Sequence, residues 1–178
     1  MLALGLKQSL SSSEPTRWLP TDEGNRLEAW YRKSTDIDLV GPSPSAVSSW
    51  GDSSENEHEM VQATASERPT FSATHPGAVV FDPDDDTNLQ TTSQISLSGE
   101  FTIGVRLYIV SGGGIILGDN TTAGEFIKVF STTKIRIRID NTTAVDLQLD
   151  SGTLTGAWGS LLLSRNSSNK ITMYWNGV

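Results

Sequence analysis

Phe101-Thr-Ile103-Gly-Val105-Arg-Leu107-Tyr-Ile109 alternates apolar side chains with polar or small ones. That period of two belongs to a strand buried on one face. The same alternation returns in Ile135, Ile137 and Ile139 against Lys134, Arg136 and Arg138, and in Val145, Leu147 and Leu149 against Asp146 and Gln148. Turn residues separate the runs: Gly112-Gly-Gly114, Asp119-Asn120, Asp140-Asn141, Asp150-Ser-Gly152 and Asn166-Ser-Ser-Asn169. From about residue 95 onward this spacing predicts an antiparallel meander. A strand with one apolar face needs a second layer, so two sheets must stack. The expected fold is an all-β, antiparallel two-sheet sandwich. Nearly a quarter of the residues are Ser or Thr and no stretch carries apolar residues at helical spacing over three turns, which agrees.

The 178 residues give room for one domain and enough buried surface to hold a core without disulfides or metal. With 13 Lys+Arg against 21 Asp+Glu the net charge is −8, which argues against a general nucleic-acid binder. The absence of cysteine excludes disulfide scaffolds, zinc ribbons, thiol nucleophiles and iron–sulfur clusters. No apolar run approaches the length that spans a bilayer, and in Met1-Leu-Ala-Leu-Gly-Leu6-Lys7 the lysine follows the apolar residues, the reverse of a secretory signal. The expectation is a soluble protein made without export, with no membrane partner.

Residues 1–26 differ from the rest. Ser11-Ser-Ser13, Pro15, Pro20 and Gly24 interrupt any regular element, while Leu2, Leu4 and Leu6 offer an alternating apolar face. The segment reads either as a loose leader or as an extended arm that adds a strand to a neighbour's sheet edge, with Trp18 as an anchor. A first strand is expected around Leu27–Tyr31 and a second at Ala46–Trp50, separated by Gly41-Pro-Ser-Pro44.

From Leu27-Glu-Ala-Trp30 onward a set of ordered motifs appears: Trp50-Gly-Asp52-Ser-Ser54-Glu-Asn56, Gln62-Ala-Thr64, Arg68-Pro69-Thr-Phe71, Val80-Phe81-Asp82 to Leu89, Phe101-Thr-Ile103, and Gly156-Ala-Trp158 through Leu163-Ser-Arg165 to Tyr174-Trp-Asn176-Gly177. Together they resemble concanavalin A-like, laminin-G-like domains. The resemblance implies a jelly-roll sandwich over residues 27–178 behind the 1–26 arm, with residues 80–89 as a hairpin and Trp30, Trp50 and Trp158 in structural positions. Chains with this combination are similar to virion proteins of tailed bacteriophages, marine phages among them. Glu55 and Glu57 stand where the family has Gly, and Pro83 replaces the Gly after Phe81-Asp82. Asn176-Gly177 is a hairpin signal, yet the strands that follow it in the family are missing here. The expectation is that either the sequence continues or a neighbouring chain supplies the pairing.

Glu55-Asn-Glu57-His-Glu59 would put three carboxylates on one strand face, as in related glycosidases, but it sits in a long polar run where nothing raises a carboxyl pKa. Asp82, Asp84, Asp85 and Asp86 offer oxygens without the spacing of a calcium loop. His58 and His75 are too few for a metal triad and have no matched Ser or Asp constellation; His58 is expected to be exposed. These segments read as solvated loops, so no catalytic residue, metal or cofactor is assigned. Lys134, Arg136 and Arg138 form a basic stripe, either a solvated face that blocks edge pairing or a surface for an acidic partner.

The expected function is therefore that of a non-enzymatic virion structural protein, a decoration on the capsid surface, synthesised in the host cytoplasm. Its expected partners are the major capsid protein or other virion proteins and neighbouring copies of itself, through Leu2, Leu4, Leu6, Trp18, Lys134, Arg136 and Arg138. The alternative is a carbohydrate-binding module that contacts host glycans through the sandwich loops.

Overall fold

A computed structural model describes residues 20–32, 37–40, 45–75, 77–82, 84–119, 124–139 and 142–178. Leu2, Leu4, Leu6 and Trp18 lie outside the described residues. The chain is all-β with antiparallel sheets, and its only helical pieces among the described residues are two 3-10 turns at Pro20–Arg26 and Ala65–Glu67. Contacts divide it into two compact units that meet in sequence at Ile95/Ser96.

The first unit holds six short strands, β1 (Ile37–Val40), β2 (Ala46–Trp50), β3 (Met60–Val61), β4 (Thr70–Phe71), β5 (Val79–Val80) and β6 (Gln90–Thr91). Their order is β5-β4-β2-β3-β6, with β1 also paired to β2. The expected strand at Ala46–Trp50 is present and central. Val47 and Ser49 point inward along it and are buried. The expected strand at Leu27–Tyr31 is not: only Tyr31 pairs, as an isolated bridge to Asp52. Side-chain bonding competes there, because the Trp30 amide donates to Asp52 Oδ1 at 2.7 Å. Residues 80–89 do not form the expected hairpin either. β5 and β6 lie at opposite ends of the sheet, so the segment between them passes from one edge to the other.

The second unit holds β7 (Phe101–Tyr108), β8 (Ile115–Gly118), β9 (Phe126–Ser131), β10 (Lys134–Arg138), β11 (Val145–Gln148), β12 (Trp158–Arg165) and β13 (Ile171–Trp175). The meander is real for β8 to β11, which lie in sequence order in one four-stranded sheet. β7 leaves it and pairs with β12 along eight residues, in a three-stranded sheet ordered β13-β12-β7. The inner faces of both sheets feed one core. Ile127, Val129, Ile135 and Ile137 come from one sheet, and Leu161, Leu163 and Trp175 from the other. Ile103, Val105 and Leu107 of β7 pack against them half-buried. This is a sandwich-like arrangement, and each fully buried aliphatic side chain contributes about 1.5–3 kcal/mol of transfer free energy.

Two glycines shape this unit. A Cβ on Gly159 would lie 1.9 Å from the Trp175 ring, so the buried indole occupies the space a side chain would take. Asn176 and Gly177 both take positive φ, 55° and 87°, as a two-residue primed turn requires. Across that turn the Trp175 amide donates to the Val178 carbonyl at 2.9 Å.

Candidate partner-binding face

With Ile135 and Ile137 buried, the strand period turns Lys134, Arg136 and Arg138 to the outer face of the four-stranded sheet. The basic stripe is therefore where the sequence places it, but its three members differ. Arg136 lies opposite Asp146 across the β10–β11 pair and grips it with both ends of its fork, Nε to Oδ1 at 2.6 Å and Nη2 to Oδ2 at 2.9 Å. That hydrogen bonding holds the Asp146 carboxyl below its ordinary range and the guanidinium above its own. Arg138 Nε donates to the Thr142 carbonyl at 3.2 Å.

The neighbouring strands add apolar surface that the sequence reading passed over. The Arg136 guanidinium sits 3.5 Å from the Phe130 ring centroid, and Lys128 Nζ lies 5.0 Å from that of Phe126 and 6.0 Å from that of Phe130. Ile115, paired with Lys128, is 68% exposed and Phe130 is 41% exposed, whereas a bulge places Leu117 opposite the buried Ile127. The signal was available in Phe126-Ile-Lys128-Val-Phe130, an alternation whose outer positions are aromatic and cationic. A face with exposed apolar side chains among four cations suits a partner that is itself acidic and partly apolar.

The outer face of the three-stranded sheet carries a second aromatic group. Tyr108 and Trp158, opposite one another in register, meet edge to face at 5.8 Å and are 41% and 37% exposed. Arg106 lies 5.6 Å from the Trp158 ring centroid. Trp158 is thus a surface residue of this sheet, while Trp175 is buried and Tyr174 on the opposite side of the same strand is exposed.

In the first unit the polar run around residue 55 folds around a carboxylate. Asp52 accepts from the amides of Trp30, Ser54 and His58 at 2.7, 2.8 and 3.0 Å, and from Ser54 Oγ at 2.6 Å. Burial opposes ionisation of Asp52, but these donors outweigh it and hold the carboxyl below its ordinary value. Tyr31, whose hydroxyl donates to the His58 carbonyl, is pushed above the usual phenol range by burial and then by the Asp52 charge.

His58 is buried, contrary to expectation, and it does have polar partners: Nδ1 lies 2.6 Å from Ser93 Oγ and Nε2 lies 3.2 Å from Glu28 Oε1. Ser93 and Glu28 were invisible to motif reading because they stand 35 and 30 residues from His58. The chain of contacts ties the segments at 28, 58 and 93 together. Glu55 and Glu57 are exposed, and Glu57 takes a φ of 56° in a turn, so the three glutamates share no strand face. Asp84, Asp85 and Asp86 are exposed on a turn in which Asp82 Oδ1 accepts from the Asp84 amide at 2.9 Å. Among the described residues no group of three or more His, Asp and Glu is arranged to hold a metal ion, and no helix is long and apolar enough to cross a membrane.

No family model, curated protein or solved structure matches the chain.

Proposed function

We propose that the chain is a non-enzymatic structural protein of a tailed-phage particle, built on a concanavalin A-like, laminin-G-like jelly roll and placed on the capsid surface as a decoration. The observation that carries this reading is the outer face of the four-stranded sheet, where Ile115 and Phe130 are exposed beside Lys128, Lys134, Arg136 and Arg138. Such a face works by area. A docked patch on the order of 1,500 Å² per site stabilises a shell without chemistry, and repetition over a lattice turns modest contacts into avidity. The partners are the major capsid protein, other virion proteins and neighbouring copies, and the protein is made in the host cytoplasm before it joins the particle. Quantitative mass spectrometry of purified particles tests this. Copies near parity with the major capsid protein are expected, a few tens would mean a tail or vertex appendage, and absence would overturn the reading.

A second reading is favoured by the Tyr108–Trp158 pair with Arg106 beside it. Exposed rings of this kind stack on sugar faces, which would make the chain a carbohydrate-binding module on a capsid or tail surface. It predicts quenching of tryptophan fluorescence on addition of host glycans, and loss of that quenching in Trp158→Ala.

A further inference from the structure

We propose that the cationic, apolar outer face of the four-stranded sheet binds the Asp84, Asp85 and Asp86 carboxylates of a second copy of this chain. The inference rests on the proposed surface role and deepens it by naming the neighbour. Its first support is the division of charge. Residues 1–95 carry 15 Asp+Glu against 6 Lys+Arg, a net of −9, whereas residues 96–178 carry 6 against 7, a net of +1. The net negative charge of the chain thus lies in the half that lacks the cationic face. Its second support is that the acidic turn has matching apolar neighbours. Val80 and Phe81, immediately before it, are 44% and 49% exposed.

Each side therefore has carboxylates or cations together with exposed apolar groups. On one side are Asp84, Asp85 and Asp86, with Phe81 shortly before them in the chain; on the other are Lys128 and Lys134 on the face that carries Phe130 and Ile115. The turn is held in shape for this. The Thr87 amide donates to the Asp82 carbonyl at 3.1 Å, Asn88 Nδ2 donates to the Asp86 carbonyl at 3.0 Å, and Asp86 takes a φ of 50°. These bonds use backbone groups and Asp82, which leaves the three following carboxylates to face solvent. A contact between two different patches either closes reciprocally between two copies or repeats into rings or rows.

Sedimentation velocity on the full chain tests the proposal. Association should rise with concentration at low salt and weaken by about tenfold or more at 0.5 M NaCl, where screening shortens the reach of each charge. Lys128→Glu/Lys134→Glu should be monomeric, and so should Asp84→Lys/Asp85→Lys/Asp86→Lys. An equimolar mixture of the two should associate again, because each then offers the other a complementary patch. Ile115→Ser should weaken wild-type association severalfold with an unchanged circular dichroism spectrum. A monomer at every concentration and salt overturns the proposal, as does association that survives either charge reversal or a mixture that does not reassemble. Particles that carry the chain while the purified protein stays monomeric would sink the neighbour contact alone. Salt-sensitive association with no copies on particles would sink the surface role alone.

Discussion

The two units of this chain are held together by different physics. In the second, the buried side chains are aliphatic and aromatic apart from Arg165: nine Ile, Val and Leu residues plus Trp175 close a single cluster between two sheets. In the first, Val47 is the buried large aliphatic among the described residues, and it is accompanied by buried Ser49, His58, Gln62 and Ser72. Strand length follows the same division. β7 and β12 run for eight residues, whereas β3 to β6 have two each. A sheet of two-residue strands buries little apolar surface, so the first unit relies on side chains that bond to loop backbone. Asp52 and Gln62 are its two centres. Gln62 Nε2 donates to Asn88 Oδ1 at 2.8 Å, its Oε1 accepts from the Thr64 amide at 2.9 Å, and Arg68 Nε donates to its carbonyl at 2.8 Å. Hydrogen bonds contribute only about 1 kcal/mol net apiece, but a buried donor left unmade costs more than that. A unit built this way is specific in shape and sensitive to the loss of single acceptors.

The comparison breaks most visibly in the apolar core. Leu161 is 0% exposed on β12, opposite Val105 and Trp175. Leu161→Ala should lower unfolding stability by about 2–5 kcal/mol, the range for a buried leucine whose cavity does not collapse. Urea unfolding followed by hydrogen exchange of the β12 amides checks this. A loss under 1 kcal/mol would mean that the second unit is not governed by its apolar core.

Asp52→Ala is the counterpart in the first unit. It strands the amides of Trp30, Ser54 and His58, and the expected loss is roughly 2–3 kcal/mol, with faster exchange at those three positions. Unchanged exchange there would show that the loops hold without their carboxylate. Titration sharpens the same point with a smaller effect. The Asp52 carboxyl is held below its ordinary value, so its contribution is present above about pH 4 and is lost as pH falls through the lowered value. The Tyr31 phenol is raised, so its contribution is present below about pH 10 and is lost as pH climbs through the raised value. Exchange at Trp30 and His58 should therefore quicken at both extremes in wild type, and the acid limb should vanish in Asp52→Ala.

The same division explains what could be read from the amino acids. β7, β10 and β11 were legible because a period of two persists over four or more residues, whereas β2 was placed by the Gly41-Pro-Ser-Pro44 loop before it. The two-residue strands have no period to read, and the path of residues 81–89 from edge to edge depends on which strands flank them in space. His58 looked exposed because its sequence neighbours are polar, yet Ser93 and Glu28 bury it from 35 and 30 residues away. Half of the candidate face was legible in Lys134, Arg136 and Arg138. The other half, Phe130 and Lys128, becomes part of that face only through the β9–β10 register, and Ile115 only through its pairing with Lys128.

The smallest expected effect tests whether that face is structural or available. Arg136 and Asp146 pair with good geometry, but both side chains are 31% exposed and the pair is wet, so screening and side-chain ordering offset most of the attraction. Arg136→Ala should leave the urea midpoint of the second unit unchanged within error, because Ile135 and Ile137 behind it keep their burial. It should also let the Asp146 carboxyl return to the ordinary range, visible as an upward shift of its titration by NMR, since Arg136 is the main cause of the depression. A large fall in the midpoint would mean that the Phe130–Arg136–Asp146 group holds the sheet together. The outer face would then have a fold-keeping role like that of Asp52, and its cations would be poor candidates for a partner.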